Sequence, residues 1–317
     1  MNFYIHIGYP KAASTFLQEI ILPKLKNCNV LDKDKYEVRN QIFYRLITLD
    51  EVEYNKNKKN LINTLYQEVK KINKTDKIYV SWPGFINPIK FHTKASASGN
   101  NINRTIFRIN EIFSNIGKVN FILIIRNYSD LIESFFHQVN HSLKFDFKDK
   151  HLIQALKKEN EKYKFLLDFF CFSRIINLFF NNKINNSVIL YEDLIYDTLK
   201  FQKALADAFD NEEINTLNFE NLAKNRKNSR LEKKKITYQM KEIYEVFFLK
   251  KNSRKYGNSI KSTYKTRLKR LIRILNIKNI NKENYNHLVN NYFMQDYDEL
   301  PENIKQQCKK YNYINSK

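Results

Sequence analysis

Apolar residues in this chain come in short unbroken runs, not in strict alternation with polar ones. Such runs stand at Phe3–Ile7, Lys77–Trp82, Asn120–Ile125 and Ser187–Tyr191, and their length and lack of alternation predict strands buried on both faces. Between them Ile102–Phe113 carries helical spacing, and the third run is followed by the helical pattern LIESFFHQ. The greasy stretch Phe165–Phe180, interrupted by Asp168 and Arg174, predicts a buried amphipathic helix too short to span a bilayer. Strands alternating with helices predict an α/β fold, three-layer, with a mostly parallel central sheet flanked by helices and with ligands at the carboxyl ends of the strands.

The first run breaks into Gly8-Tyr9-Pro10-Lys11-Ala12-Ala13-Ser14-Thr15 before Phe16-Leu17-Gln18 resumes an apolar pattern. This reads as a strand, a phosphate loop and a helix start. Gly8 and Pro10 allow a tight reversal, Ala12 and Ala13 keep side chains off the backbone, and Ser14-Thr15 stand where a helix presents unpaired N–H groups to an anion. Lys11 adds a mobile positive charge. A Walker A loop would need GxxxxGK[ST], which the spacing of Gly8, Lys11 and Ser14 does not supply.

The third run ends in Arg126-Asn127-Tyr128-Ser129-Asp130, with Ser129 or Asp130 expected to cap the next helix and Ser134 in its first turns. A magnesium-dependent phosphotransferase usually puts an Asp at such a strand end. A guanidinium there cannot ligate a metal but can hold phosphate oxygens bidentately.

HIGYPKAASTFLQ resembles the 5'-phosphosulfate loop of sulfotransferases that use 3'-phosphoadenosine 5'-phosphosulfate (PAPS), whose usual form is approximately GxPK[ST]G[ST][ST]. A strand followed by Arg126 and then Ser134 resembles the same family's 3'-phosphate motif, with Tyr128 where that family has Pro, and VILYEDL resembles a later strand. Together these cover roughly two-thirds of the chain. The resemblance implies a P-loop NTPase-like sulfotransferase fold and PAPS as sulfate donor, with no metal required. Gly8, Pro10, Lys11, Ala12, Ala13, Ser14, Thr15 and Phe16 are then expected at the 5' end of the cofactor and Arg126 with Ser134 at its 3' end. A basic loop follows in many relatives as a lid, which assigns Arg226, Lys227 and Arg230 by position; as residues alone they read equally well as a solvated helix entry. Tyr292–Leu300 resembles the terminal helix of bacterial members and receives no chemistry. Glu192 and Asp193 read best as structural or capping charges.

Sulfuryl transfer to a hydroxyl needs a cation at the departing phosphate and a base at the acceptor. Lys11 is the candidate for the first role. For the second, His92 ranks first among six histidines because it follows the second strand on a loop; His6 sits within a strand, where an imidazole is more often structural. His137 and His141 lie four residues apart beyond Glu133, but the resembled chemistry needs no metal and none is expected. Many bacterial relatives carry Glu after the second strand, where this chain has Ser81-Trp82-Pro83-Gly84.

Composition sets the bounds. With 317 residues, 43% of them hydrophobic, and only five Gly and five Pro, the chain is expected to form one domain over residues 1–317, with helical insertions and a helical C-terminal part. The net charge of +22 favours anionic partners by long-range steering. A hydroxyl on a glycan or glycan precursor is the expected acceptor, with lipid-linked or small-molecule acceptors behind it, and without a nucleic-acid-binding motif no nucleic acid is expected. Cys28, Cys171 and Cys308 lack metal or redox spacing and read as ordinary thiols. With no transmembrane run and no signal-like start, a cytoplasmic location is expected. A nucleotide-dependent P-loop kinase and a non-catalytic anion-binding module remain the alternatives.

Overall fold

Five strands run parallel in one sheet in the order β2-β3-β1-β4-β5, with β1 Asn2–His6, β2 Asn29–Val30, β3 Lys77–Ser81, β4 Lys118–Ile125 and β5 Asn186–Leu190. They are seen in a computed structural model that describes residues 1–9, 11–26, 28–31, 37–72, 75–86, 102–141, 156–157, 167, 169–222 and 282–314, without the side chains of 136–141 and 282–284. Phe3 and Ile5 of β1 and Phe121 to Ile125 of β4 are all fully buried. That explains their unbroken apolar runs: each strand has a helix-covered face on both sides, so neither set of alternate residues meets water. The α/β class and flanking helices agree with the sequence pattern.

In chain order the helices are α1 Ser14–Phe16, which continues into a π-helical turn Leu17–Ile21, then α2 Tyr44–Thr48, α3 Glu51–Ile72, α4 Ile102–Ser114, α5 Tyr128–His141, α6 Phe172–Asn181, α7 Tyr191–Tyr196, α8 Thr198–Phe209, α9 Lys282–Asp298 and α10 Glu302–Lys309. By their internal contacts the residues divide into two compact units. The first comprises Met1–Ile132, Phe165–Leu217 and Phe293–Lys317, and the second Glu133–Lys164 and Asn218–Tyr292. The sheet belongs to the first. In the second, Ser134 lies half-buried on α5, and on α9 Asn291 Nδ2 and His287 Nε2 are hydrogen-bonded at 3.1 Å.

Two helix starts differ from the sequence expectation. α5 is capped neither by Ser129 nor by Asp130 but by Asn127, whose Oδ1 accepts from Ser129 N at 3.0 Å and from Asp130 N at 3.5 Å. Tyr128 is therefore the first helical residue, a position where the Pro of the resembled motif would cost no intrahelical bond. Within the expected helix over 165–180 the described residues show an interruption, with Leu167 helical and α6 covering Phe172–Asn181. Phe169 and Phe170 form a turn, with Phe170 N–H bonding Leu167 O at 2.8 Å.

The reason α6 starts there lies far along the chain. The buried carboxylate of Asp296 on α9 accepts from Phe172 N at 2.8 Å and Ser173 N at 3.1 Å, and also from the Ser173 and Tyr128 hydroxyls. Four donors offset the cost of enclosing that charge, since a hydrogen bond to an ionised group is worth about 1.5 to 3 kcal/mol. Burial still pushes the Asp296 pKa above the usual carboxylate value. The Tyr128 ring lies between Phe172 and Phe293, with centroids at 4.5 and 4.6 Å and planes within 17°. This wedge fixes the entry to α5 directly behind Arg126.

Among the described residues no helix is long and apolar enough to cross a membrane. No two of the three cysteines form a disulfide, and burial pushes the Cys28 thiol up to about 11.

Candidate functional site

The chain passes from β1 to the sheet edge at β2, returns through β3, and then crosses to the opposite side of β1 to lay down β4. The strand order therefore reverses between β1 and β4, where parallel α/β sheets open a ligand crevice at their carboxyl ends. His6 pairs with Ser81 of β3 on one side and Ile122 of β4 on the other. β4 continues past that point through Ile125 while the first chain turns away, so Arg126 emerges beside the loop that follows β1.

That loop is tightly bent. Ala12 N bonds Tyr9 O at 3.2 Å, and both Lys11 (φ 70°) and Ala13 (φ 56°) take the left-handed conformation. Ala13 thus adopts the geometry for which the resembled motif uses Gly. At Gly8 an added β-carbon would lie 2.3 Å from His6 Nε2 and 3.2 Å from Ser14 Oγ, so the first Gly is required by close approach. Tyr9 is fully buried, with its ring edge-on to Phe172 at 4.9 Å and to Phe169 at 5.4 Å and its hydroxyl donating to Cys171 O at 3.4 Å. This aromatic anchor helps to hold the loop's shape. Ala12 and Phe16 are buried below it, while Lys11 and Thr15 face outward.

Polar groups converge here without partners. His6 Nε2, Ser14 Oγ and Arg126 Nε are buried and have no hydrogen-bond partner among the described residues. Buried donors are nearly always satisfied, so a group of them at one loop fits an anion as the missing partner. Arg126 Nη1 donates to Lys11 O at 3.2 Å, and its guanidinium lies over the Tyr191 ring at 4.7 Å. Partial enclosure, and then the charge of Arg126, hold the Lys11 pKa below the ordinary lysine value although its side chain reaches solvent.

Glu192 has the structural role expected of it. Its Oε1 accepts from Asn127 N at 2.9 Å and its other oxygen from the Tyr313 hydroxyl, and burial raises its pKa. Asp193 accepts from Lys200 Nζ at 3.0 Å and from the Tyr311 hydroxyl. Asn127 Nδ2 also donates to Asn312 O at 2.9 Å, so the turn behind Arg126 is held by residues on two distant segments. Asn127, Tyr311 and Tyr313 escape a reading of motifs, because their partners are distant in sequence.

The structure thus brings together Gly8, Lys11, Ala12, Ala13, Ser14, Thr15, Phe16 and Arg126. Ser134 belongs to the second unit. Pro10, His92, Arg226, Lys227 and Arg230 lie outside the described residues. The segment after β3 is an aromatic cluster, with Trp82 stacked on Phe43 at 4.9 Å and edge-on to Phe85 at 4.8 Å, and Ser81 faces His6. Among the described residues no group of three or more His, Cys, Asp or Glu is placed to hold a metal ion. Compared with known proteins, the chain matches no family model, no curated protein and no solved structure.

Proposed function

We propose that the chain is a sulfotransferase that moves a sulfuryl group from PAPS to an acceptor hydroxyl, with carbohydrate hydroxyls as the first acceptors to test. The observation that carries this reading is the pairing of Lys11 and Arg126 at the strand-order reversal, around a loop whose buried His6 Nε2 and Ser14 Oγ have no partner among the described residues. A strand ending in a guanidinium suits a nucleotide with an additional phosphate better than it suits a magnesium–phosphate complex.

Bound PAPS would supply an activated sulfuryl group whose leaving group is a phosphate. The loop supplies N–H groups and Ser14 for that phosphate, and the Lys11 ammonium opposes the charge that develops on it during transfer. Arg126 is assigned to the 3'-phosphate and His92 to removal of the acceptor proton.

A thermal-shift titration of the full chain with 3'-phosphoadenosine 5'-phosphate in chelator tests the reading. A concentration-dependent rise is expected. No rise, alongside a clear one with magnesium and ATP, would favour a kinase.

A further inference from the structure

His6 is fully buried on β1, and its two ring nitrogens have different neighbours. Nδ1 lies 2.9 Å from Ser81 Oγ. Ser81 Oγ also receives a proton from Gln18 Nε2 at 3.1 Å, while the same amide donates to Ser81 O at 2.8 Å. A serine hydroxyl carries a single proton, and among the described residues His6 Nδ1 is the acceptor within its reach. The opposite arrangement would send two protons to Oγ and leave its own buried hydrogen without an acceptor, an arrangement that folded proteins avoid. The ring is therefore fixed with its proton on Nε2, the nitrogen packed against Gly8 near Ser14 Oγ. Burial holds the His6 pKa down at about 3, so the ring stays neutral.

We infer that His6 Nε2–H and the Ser14 hydroxyl form a neutral donor pair for an anionic oxygen in the loop, with Gln18 and Ser81 holding the imidazole in its donating tautomer. That this oxygen belongs to the 5'-phosphate of a PAPS-type nucleotide rests on the function proposed above. His6 is in this role a binding residue, and Gln18 and Ser81 are positioning residues. A neutral donor suits such a site because the loop needs no proton from solvent before it binds.

The test uses the full chain labelled with 15N-histidine, with His6→Gln used to assign the His6 signals. In the free protein the expected pattern is a protonated Nε2 and an unprotonated Nδ1. Addition of 3'-phosphoadenosine 5'-phosphate should move the Nε2 nitrogen and its proton. If the nucleotide fails to bind but inorganic phosphate moves the same signals, the donor role holds and the nucleotide reading fails. A proton on Nδ1, or unmoved Nε2 signals with both ligands in excess, overturns the inference and assigns the orphaned nitrogen to fixed solvent. Affinity gives a second readout. His6→Gln retains an N–H near Nε2 and should bind within about threefold of the original chain, whereas His6→Met should lose on the order of tenfold to a hundredfold. Undiminished affinity in a folded His6→Met chain also overturns it. If that variant does not fold, Ser81→Ala releases the tautomer and should weaken binding several-fold; unchanged affinity there removes the positioning role.

Discussion

The Arg126 guanidinium donates to the carbonyl oxygen of Lys11 across 3.2 Å, tying the end of β4 to the bend of the loop after β1. One side chain thus serves two ends of a crevice: its Nη1 braces the loop, while its Nη2 lies 4.0 Å from Asp130 Oδ2 and its buried Nε has no hydrogen-bond partner among the described residues.

That double use gives a graded expectation. Arg126→Ala should weaken 3'-phosphoadenosine 5'-phosphate by roughly 10- to 100-fold and a nucleotide lacking the 3'-phosphate by much less. Calorimetric titration of both nucleotides measures the difference, and equal losses for the two ligands would leave Arg126 as a brace alone.

Lys11→Ala should lower turnover by about a hundredfold to a thousandfold, as expected for loss of a preorganised donor that acts on developing charge. His92→Ala should lower turnover while leaving nucleotide affinity nearly intact, because a base touches the acceptor. Both quantities are to be measured for both variants with any acceptor that becomes sulfated. A fully active Lys11→Ala sinks the mechanism; a fully active His92→Ala moves only the base.

Ala13 sits at φ 56°, a conformation that strains an L-residue by roughly 1 to 2 kcal/mol and that Gly adopts freely. After the greater entropy of an unfolded Gly is subtracted, Ala13→Gly should stabilise the chain by about 0.5 to 1 kcal/mol. The urea midpoint should rise at constant slope. A lower midpoint would show that the methyl group contributes more through packing than its backbone costs.

Protonation of His6 should oppose folding. Its folded pKa is lowered to about 3, from an ordinary 6.5, so between these values the unfolded chain binds a proton that the folded chain does not. Stability is then fully present above about 6.5 and is lost as pH falls, by up to about 1.4 kcal/mol per pH unit from this group. His6→Gln should reduce the slope of stability against pH by nearly one proton across that window. Parallel slopes for the two chains would refute the pKa shift.

Much of the scaffold was legible because buried parallel strands write themselves as continuous apolar runs; β3, β4 and β5 each lie within two residues of the expected spans. The bend after β1 was legible for a related reason, since the close approach at Gly8 is a matter of local geometry. The long helix α3 was not, because only Tyr54, Leu61, Leu65, Glu68 and Val69 of its residues are buried and Lys and Asn dominate the rest. The starts of α5 and α6 are not legible, because a nearer cap, Asn127, and a remote carboxylate, Asp296, set them. The hydrogen bonds that fix His6 run through Ser81 and Gln18, and no spacing rule connects those positions.

The wedge of Tyr128 between Phe172 and Phe293, with its hydroxyl on Asp296, carries an evolutionary consequence. In a lineage where Pro occupies position 128, the ring vanishes and Asp296 loses one of its donors. The space between positions 172 and 293 must then be refilled, and the carboxylate at 296 becomes less favourable to keep. These four positions should therefore change together among relatives, Pro at 128 accompanying larger side chains opposite it and an uncharged residue at 296, while Arg126 stays as it is.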